Sequence, residues 1–144
     1  AQQRQIPLTV EEKMLGIVYI PGGMLLKLDL QNANVVKRIH RPFLRAQSIL
    51  LSKNAGLIFE TFGISNRVVL FDRETLDLRQ QFDFSDMGYV DPRGLALSSD
   101  ERFLFVSCRR NNIYCFDLCS EEKPRRQVIY LKTNVNSHLT ILEG

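Results

Sequence analysis

Three cysteines (Cys108, Cys115, Cys119), two histidines (His40, His138) and three recurring aspartates (Asp29, Asp72, Asp117) are the residues whose types could support chemistry. Cys115 and Cys119 stand four apart, off the Cys-x-x-Cys spacing of zinc ribbons and redox pairs, and the histidines lie far away in sequence. No metal site is therefore expected. Three cysteines without an apolar leader segment point to reduced thiols in an intracellular compartment, acting as small buried hydrophobes. Catalysis by the aspartates would need them to converge, whereas one per repeat holds them apart; aspartate in such places accepts backbone N–H groups and closes turns. Pro21-Gly22-Gly23 lacks the Gly-Lys-Ser/Thr ending and following helix of a phosphate loop, and reads as a turn. No catalytic, cofactor-binding or metal-binding residues are expected.

The cationic set is 13 Arg against 6 Lys, with a formal net charge of +3. Arginine makes bidentate contacts with carboxylate or phosphate, so this bias points to stable interfaces or RNA. The 144 residues are 44% hydrophobic and 24% charged, which suits a globular domain and excludes a disordered tail or a disulfide scaffold. No apolar run approaches the roughly 20 residues of a membrane helix. The chain opens Ala1-Gln2-Gln3-Arg4-Gln5, without Met, as expected of a processed chain or a piece of something longer.

A repeat positions these residues. Leu25 to Leu30, Val68 to Arg73 and Ile113 to Leu118 end alike, with aspartates 43 and then 45 residues apart. Before each lies an apolar run (Gly16 to Ile20, Gly56 to Phe62, Phe103 to Val106), and before that a shorter one (Leu8 to Val10, Ser48 to Leu51, Leu95 to Leu97). A fourth run follows each aspartate: Val35 to Ile39, Leu78 to Phe84 and Gln127 to Leu131. The runs are rich in Val, Ile, Phe and Tyr and separated by turn residues, which predicts four strands per unit. Thr9-x-x-Glu12 has capping-box spacing, but register with the other repeats makes Leu8 to Val10 a strand. The second and third strands are nearly continuous apolar runs, as in sheets covered on both faces. A period of about 40–50 residues is the mark of propeller blades.

The stretch Pro92-Arg93-Gly94-Leu95-Ala96-Leu97-Ser98-Ser99-Asp100-Glu101-Arg102-Phe103-Leu104-Phe105-Val106-Ser107 resembles blades of the YVTN and WD40-like β-propeller superfamily. Asp29 to Ile39 resembles the matching turn and outer strand. There is no Trp and no Gly-His dipeptide, unlike true WD40 repeats. The resemblance implies an all-β propeller segment of four-stranded antiparallel blades over residues 1–144: blade 1 at about 6–40, blade 2 at about 46–84, blade 3 at about 92–132, and the start of a fourth at about 137–144. Three blades cannot close a ring of 4–8, so a further chain or subunit is expected to complete it.

In propellers the b–c and d–a loops share one face and the a–b and c–d loops the other. The first carries Arg41, Arg45, Arg67, Arg93, Arg109, Arg110 and Lys132 against Asp86 and Asp91; the second carries six cations against eleven acids. Such polarity orients a molecule in an assembly or presents a basic face to an acidic partner or RNA. Phe43 and Tyr89 are the stacking candidates on the basic face, too few for base-specific reading. Arg41-Pro42-Phe43-Leu44 is a loop that either anchors a partner or tucks over the core. The expected function is a non-catalytic protein-interaction scaffold within a larger intracellular assembly, with Arg41, Phe43, Arg45, Arg109 and Arg110 as partner contacts. Two alternatives stand beside it. One is an RNA-contacting subunit, with no readout of DNA sequence. The other is a lactonase-like propeller enzyme, for which Arg109 or Arg110 alone matches the family's b–c loop arginine.

Overall fold

The computed structural model describes residues 15–20, 23–109, 112–119, 126–130 and 139–142; within 126–130 it describes the backbone and the Ile129 side chain. The chain forms two compact units, 1–42 and 43–144. The described residues form antiparallel strands and one 3-10 turn, and none of them forms a helix long and apolar enough to cross a membrane.

In the first unit, β1 (Leu15–Ile20), β2 (Met24–Asp29) and β3 (Asn34–His40) form a sheet in sequence order. Leu25 and Leu26 on the middle strand are buried, while β3 is largely exposed. The turn between β1 and β2 needs Gly23: its φ of +93° is left-handed, and a Cβ there would run into the Arg41 carbonyl oxygen. The first strand expected for blade 1, Leu8 to Val10, lies outside the described residues, as does Thr9 to Met14.

The second unit holds two four-stranded sheets. Blade 2 is β4 (Ala46–Leu51), β5 (Leu57–Phe62), β6 (Arg67–Asp72) and β7 (Leu78–Asp83); blade 3 is β8 (Pro92–Leu97), β9 (Phe103–Cys108), β10 (Asn112–Asp117) and β11 (Arg126–Tyr130). Each sheet runs a-b-c-d in neighbour order, the meander the repeat predicts. β5 and β6 are buried on both faces along most of their length, which explains their unbroken apolar sequence. On β7 the exposed Arg79, Gln80 and Gln81 occupy the sheet edge, where polar side chains discourage further pairing. Residues 139–142 carry no strand, and the rest of the expected fourth-blade start lies outside the described residues.

The two sheets pack face to face. Phe59, Val68, Leu70 and Phe82 of blade 2 share one apolar cluster with Leu104, Val106, Tyr114 and Phe116 of blade 3. The rings of Phe82 and Phe116 stack with centroids 4.5 Å apart, and Phe84 tilts against Tyr114 at 4.9 Å. Polar ties cross the same seam. Thr61 donates its hydroxyl to the Arg93 carbonyl at 2.7 Å. At the a–b loop end, the Glu101 carboxylate accepts from Ser52 Oγ and from the backbone N–H groups of Lys53 and Asn54.

Two local devices recur in both blades. A bulge opens the a–b pairing between Ala46 and Ser48 and again between Pro92 and Gly94. At each, a strand-b hydroxyl accepts the released N–H: Thr61 Oγ1 from Ser48, and Ser107 Oγ from Gly94. The recurring aspartates close their turns as expected. Asp29 accepts from the N–H groups of Gln31 and Asn32, Asp72 from Glu74 and Thr75, and Asp117 from Cys119.

Candidate functional site

Of the described candidate contacts, Arg41, Phe43 and Arg45 lie in the segment leading into strand a of blade 2. Arg109 follows strand b of blade 3 and is hydrogen-bonded to the segment leading into that blade's strand a. In blade 2, Arg45 takes a left-handed φ of +63° and its carbonyl accepts the Gly63 N–H at 2.8 Å. In blade 3, Asp91 takes a φ of +51° and its carbonyl accepts the Arg109 N–H at 3.1 Å. The two junctions are equivalent at an offset of 46 residues, which also equates Phe43 with Tyr89 and Phe62 with Cys108.

Equivalent positions have opposite fates. Phe43 is 7% exposed and packs on Phe62 (centroids 5.1 Å apart) and Phe71 (6.5 Å). The loop thus tucks over the core, and Leu44 is the apolar side chain it leaves outside. Tyr89 is 55% exposed. Its counterpart of Phe62 is the small Cys108, and its counterpart of Phe71 is Phe116, whose ring is already stacked on Phe82. The phenol is therefore left in solvent. Its backbone is nonetheless fixed: Asn66 donates to the Gly88 carbonyl at 2.8 Å and accepts from the N–H groups of Val90 (2.9 Å) and Asp91 (3.3 Å). The Arg109 N–H also reaches the Val90 carbonyl.

The charges at this end are more balanced than the loop count implies. Arg67 bridges Asp83 at 3.6 Å, donates to Gln81 at 2.7 Å and lies over the Phe43 ring. Arg93 holds the buried Asp91 carboxylate through two N–H donors, at 3.0 and 3.3 Å. Asp83, on the last position of β7, escaped a count restricted to loops. Arg109 is exposed and has no ion pair among the described residues. With Tyr89, Val90 and Asp91 it lines a notch of about 240 Å³. Arg45 is also exposed. Arg41, in the first unit, is half-buried, and its carbonyl accepts the Tyr19 hydroxyl. Arg110 lies outside the described residues.

Glu60 was hidden inside an apolar run. It sits on β5 between Ile49 and Val69, is 1% exposed, and has no hydrogen-bond partner for either carboxyl oxygen among the described residues. Burial pushes its pKa up to about 8. Blade 3 has Val106 at the matching register, so the repeat itself was the signal that could have exposed it. Of the three cysteines expected to be buried hydrophobes only Cys108 is buried, its thiol pushed up to about 12 by burial and by the Asp91 carboxylate. Cys115 is half-buried and Cys119, in the turn after β10, is exposed. Among the described residues no cluster of His, Cys, Asp and Glu could hold a metal ion.

No family model and no curated protein matches this chain. Solved structures do. The Myceliophteria thermophila Cps50 (Swd1) β-propeller domain matches with a TM-score of 0.66 at 12% identity, over 84% of this chain and 44% of that one. KlHsv2 with loop 6CD replaced by a Gly-Ser linker matches at 0.56 and 14% identity, over 81% and 36%. The dihydro-heme d1 dehydrogenase NirN matches at 0.61 and 18% identity, over 78% and 23%. The chain thus spans less than half the length of each. At these identities the likeness establishes the fold: the described sheets are blades of a partial β-propeller. The matched structures include an enzyme, and fold alone does not separate enzyme from scaffold.

Proposed function

We propose that this chain is a non-catalytic interaction scaffold, working inside a larger propeller or assembly and offering partners its loop faces. One observation carries the part of the reading that places the chain inside a larger propeller. The face of blade 3 turned away from blade 2 repeats, register by register, the face that blade 2 buries against blade 3. Leu57, Phe59, Val68, Leu70 and Phe82 become Phe103, Phe105, Ile113, Cys115 and Ile129. The blade 2 set is buried or packed on the core, whereas on blade 3 the first four are half-buried and Ile129 is 38% exposed. Apolar residues at these stacking positions fit a further four-stranded blade, supplied by more chain or by another subunit.

Thiol labelling tests this. In the 144-residue chain by itself Cys115 should react with a maleimide. In the protein isolated in its native assembly it should be shielded, while the exposed Cys119 reacts in both. Equal reactivity of Cys115 in the two forms would overturn the reading. The Arg109 guanidinium and the Tyr89 ring also keep the RNA-contacting alternative in play, and the competition described below decides it.

A further inference from the structure

Resting on the scaffold reading, we infer that the notch between Tyr89 and Arg109 is a docking site for a carboxylate side chain of an acidic peptide segment on a partner protein.

The site exists because blade 3 lacks what blade 2 has. In blade 2 the aromatic ring of the lead-in loop is absorbed by Phe62 and Phe71. In blade 3 Cys108 replaces the phenylalanine, and the equivalent ring stands outside beside a notch of about 240 Å³. An exposed aromatic on a backbone clasped by Asn66 and by the Arg109 N–H is pre-organised, so little conformational entropy is lost when a partner closes on it. Aromatic and arginine side chains together are the commonest anchors of protein interfaces.

Charge selects the ligand. Arg67 and Arg93 are committed to Asp83 and Asp91, which leaves Arg109 as a guanidinium with no ion pair among the described residues. Its planar fork matches a carboxylate in two parallel hydrogen bonds. The wall of the notch is Asp91, 1% exposed, with Arg93 on one carboxyl oxygen and no partner among the described residues for the other. That buried negative charge opposes the dianion of inorganic phosphate more strongly than a singly charged carboxylate, while the singly charged phosphodiester of RNA is tested by the competition below. Tyr89 adds apolar area and a hydroxyl donor at the rim.

The test is an NMR titration of the chain with a short peptide alternating Glu and Ser. Shift changes should centre on Tyr89, Val90, Asp91 and Arg109, and the same peptide with Gln for Glu should give none. Arg109→Ala and Tyr89→Ala should each weaken binding about tenfold or more. Both side chains are exposed, so melting temperatures should stay put, and Lys53→Ala at the opposite loop end should change nothing. Binding unaffected by either notch substitution overturns the proposal. So does displacement of the peptide at lower concentration by a uridine oligonucleotide or inorganic phosphate, the former favouring the RNA reading. The two readings fail separately. Shielded Cys115 without peptide binding removes the notch and leaves the scaffold, whereas an unshielded Cys115 removes the scaffold whatever the peptide does.

Discussion

The lead-in loops of blades 2 and 3 share a backbone plan and put it to different ends. Both pass through a left-handed residue whose carbonyl takes an N–H from the end of strand b, and both carry an aromatic two residues earlier. In blade 2 that aromatic is core; in blade 3 it is surface. The difference originates in a residue the loop does not contain, the exchange of Phe62 for Cys108 at the end of strand b. A repeat can therefore hold its geometry constant while one buried position decides whether a neighbouring ring stabilises the fold or faces a partner.

The most forceful way to break this comparison is to truncate both rings. Phe43→Ala should cost about 3–5 kcal/mol, the usual loss for a buried phenylalanine, and Tyr89→Ala within about 0.5 kcal/mol of nothing. Urea unfolding of the two variants measures both, and equal losses would show that the loops are not differently employed.

A second contrast lies in strand b, where blade 2 has Glu60 and blade 3 has Val106. Glu60→Val should stabilise the chain by about 1–3 kcal/mol near neutral pH, because an unpartnered buried carboxyl is removed. The sign follows from linkage. The unfolded carboxyl ionises near 4.5 and the folded one near 8, so between these values the unfolded state binds fewer protons and stability falls as pH rises. The gain from Glu60→Val should therefore grow from pH 4.5 to about 8 and then level off, as urea midpoints across that range would show. Asn66→Ala should cost about 1–2 kcal/mol by orphaning the Val90 and Asp91 N–H groups, with faster hydrogen exchange at those two amides.

The smallest effect concerns the turn aspartates. Hydrogen bonds from the N–H groups of Thr75 and Glu74 hold the Asp72 carboxyl below the usual carboxylate range. Its contribution to stability is complete above the unfolded value and is lost as pH falls through the folded one. An NMR titration should place Asp72 below the ordinary range, and Asp72→Asn should abolish that acid limb.

The repeat was legible because it is written in features that local physics fixes: apolar runs for doubly covered strands, and an aspartate wherever strand c must turn into strand d. Strand positions and the role of Asp72 follow directly from those. The fate of Phe43 was not legible, since a ring beside arginine reads alike whether it is buried or presented; only Phe62 and Phe71 beneath it decide. Nor was the charge balance of that face, because Asp83, the last residue of β7, neutralises Arg67, which the structure places as the first residue of β6 rather than in a loop. Glu60 was masked by the apolar residues on either side of it.

Asn66 and Glu101 have a joint mechanical consequence. One ties the blade 2 b–c loop to the segment leading into blade 3, and the other ties the two a–b loops together at the opposite end. Fastened at both extremities of the seam, the two sheets resist shear and twist as a riveted plate does. A pull applied at Tyr89 would be borne by both blades at once rather than dissipated in a single loop.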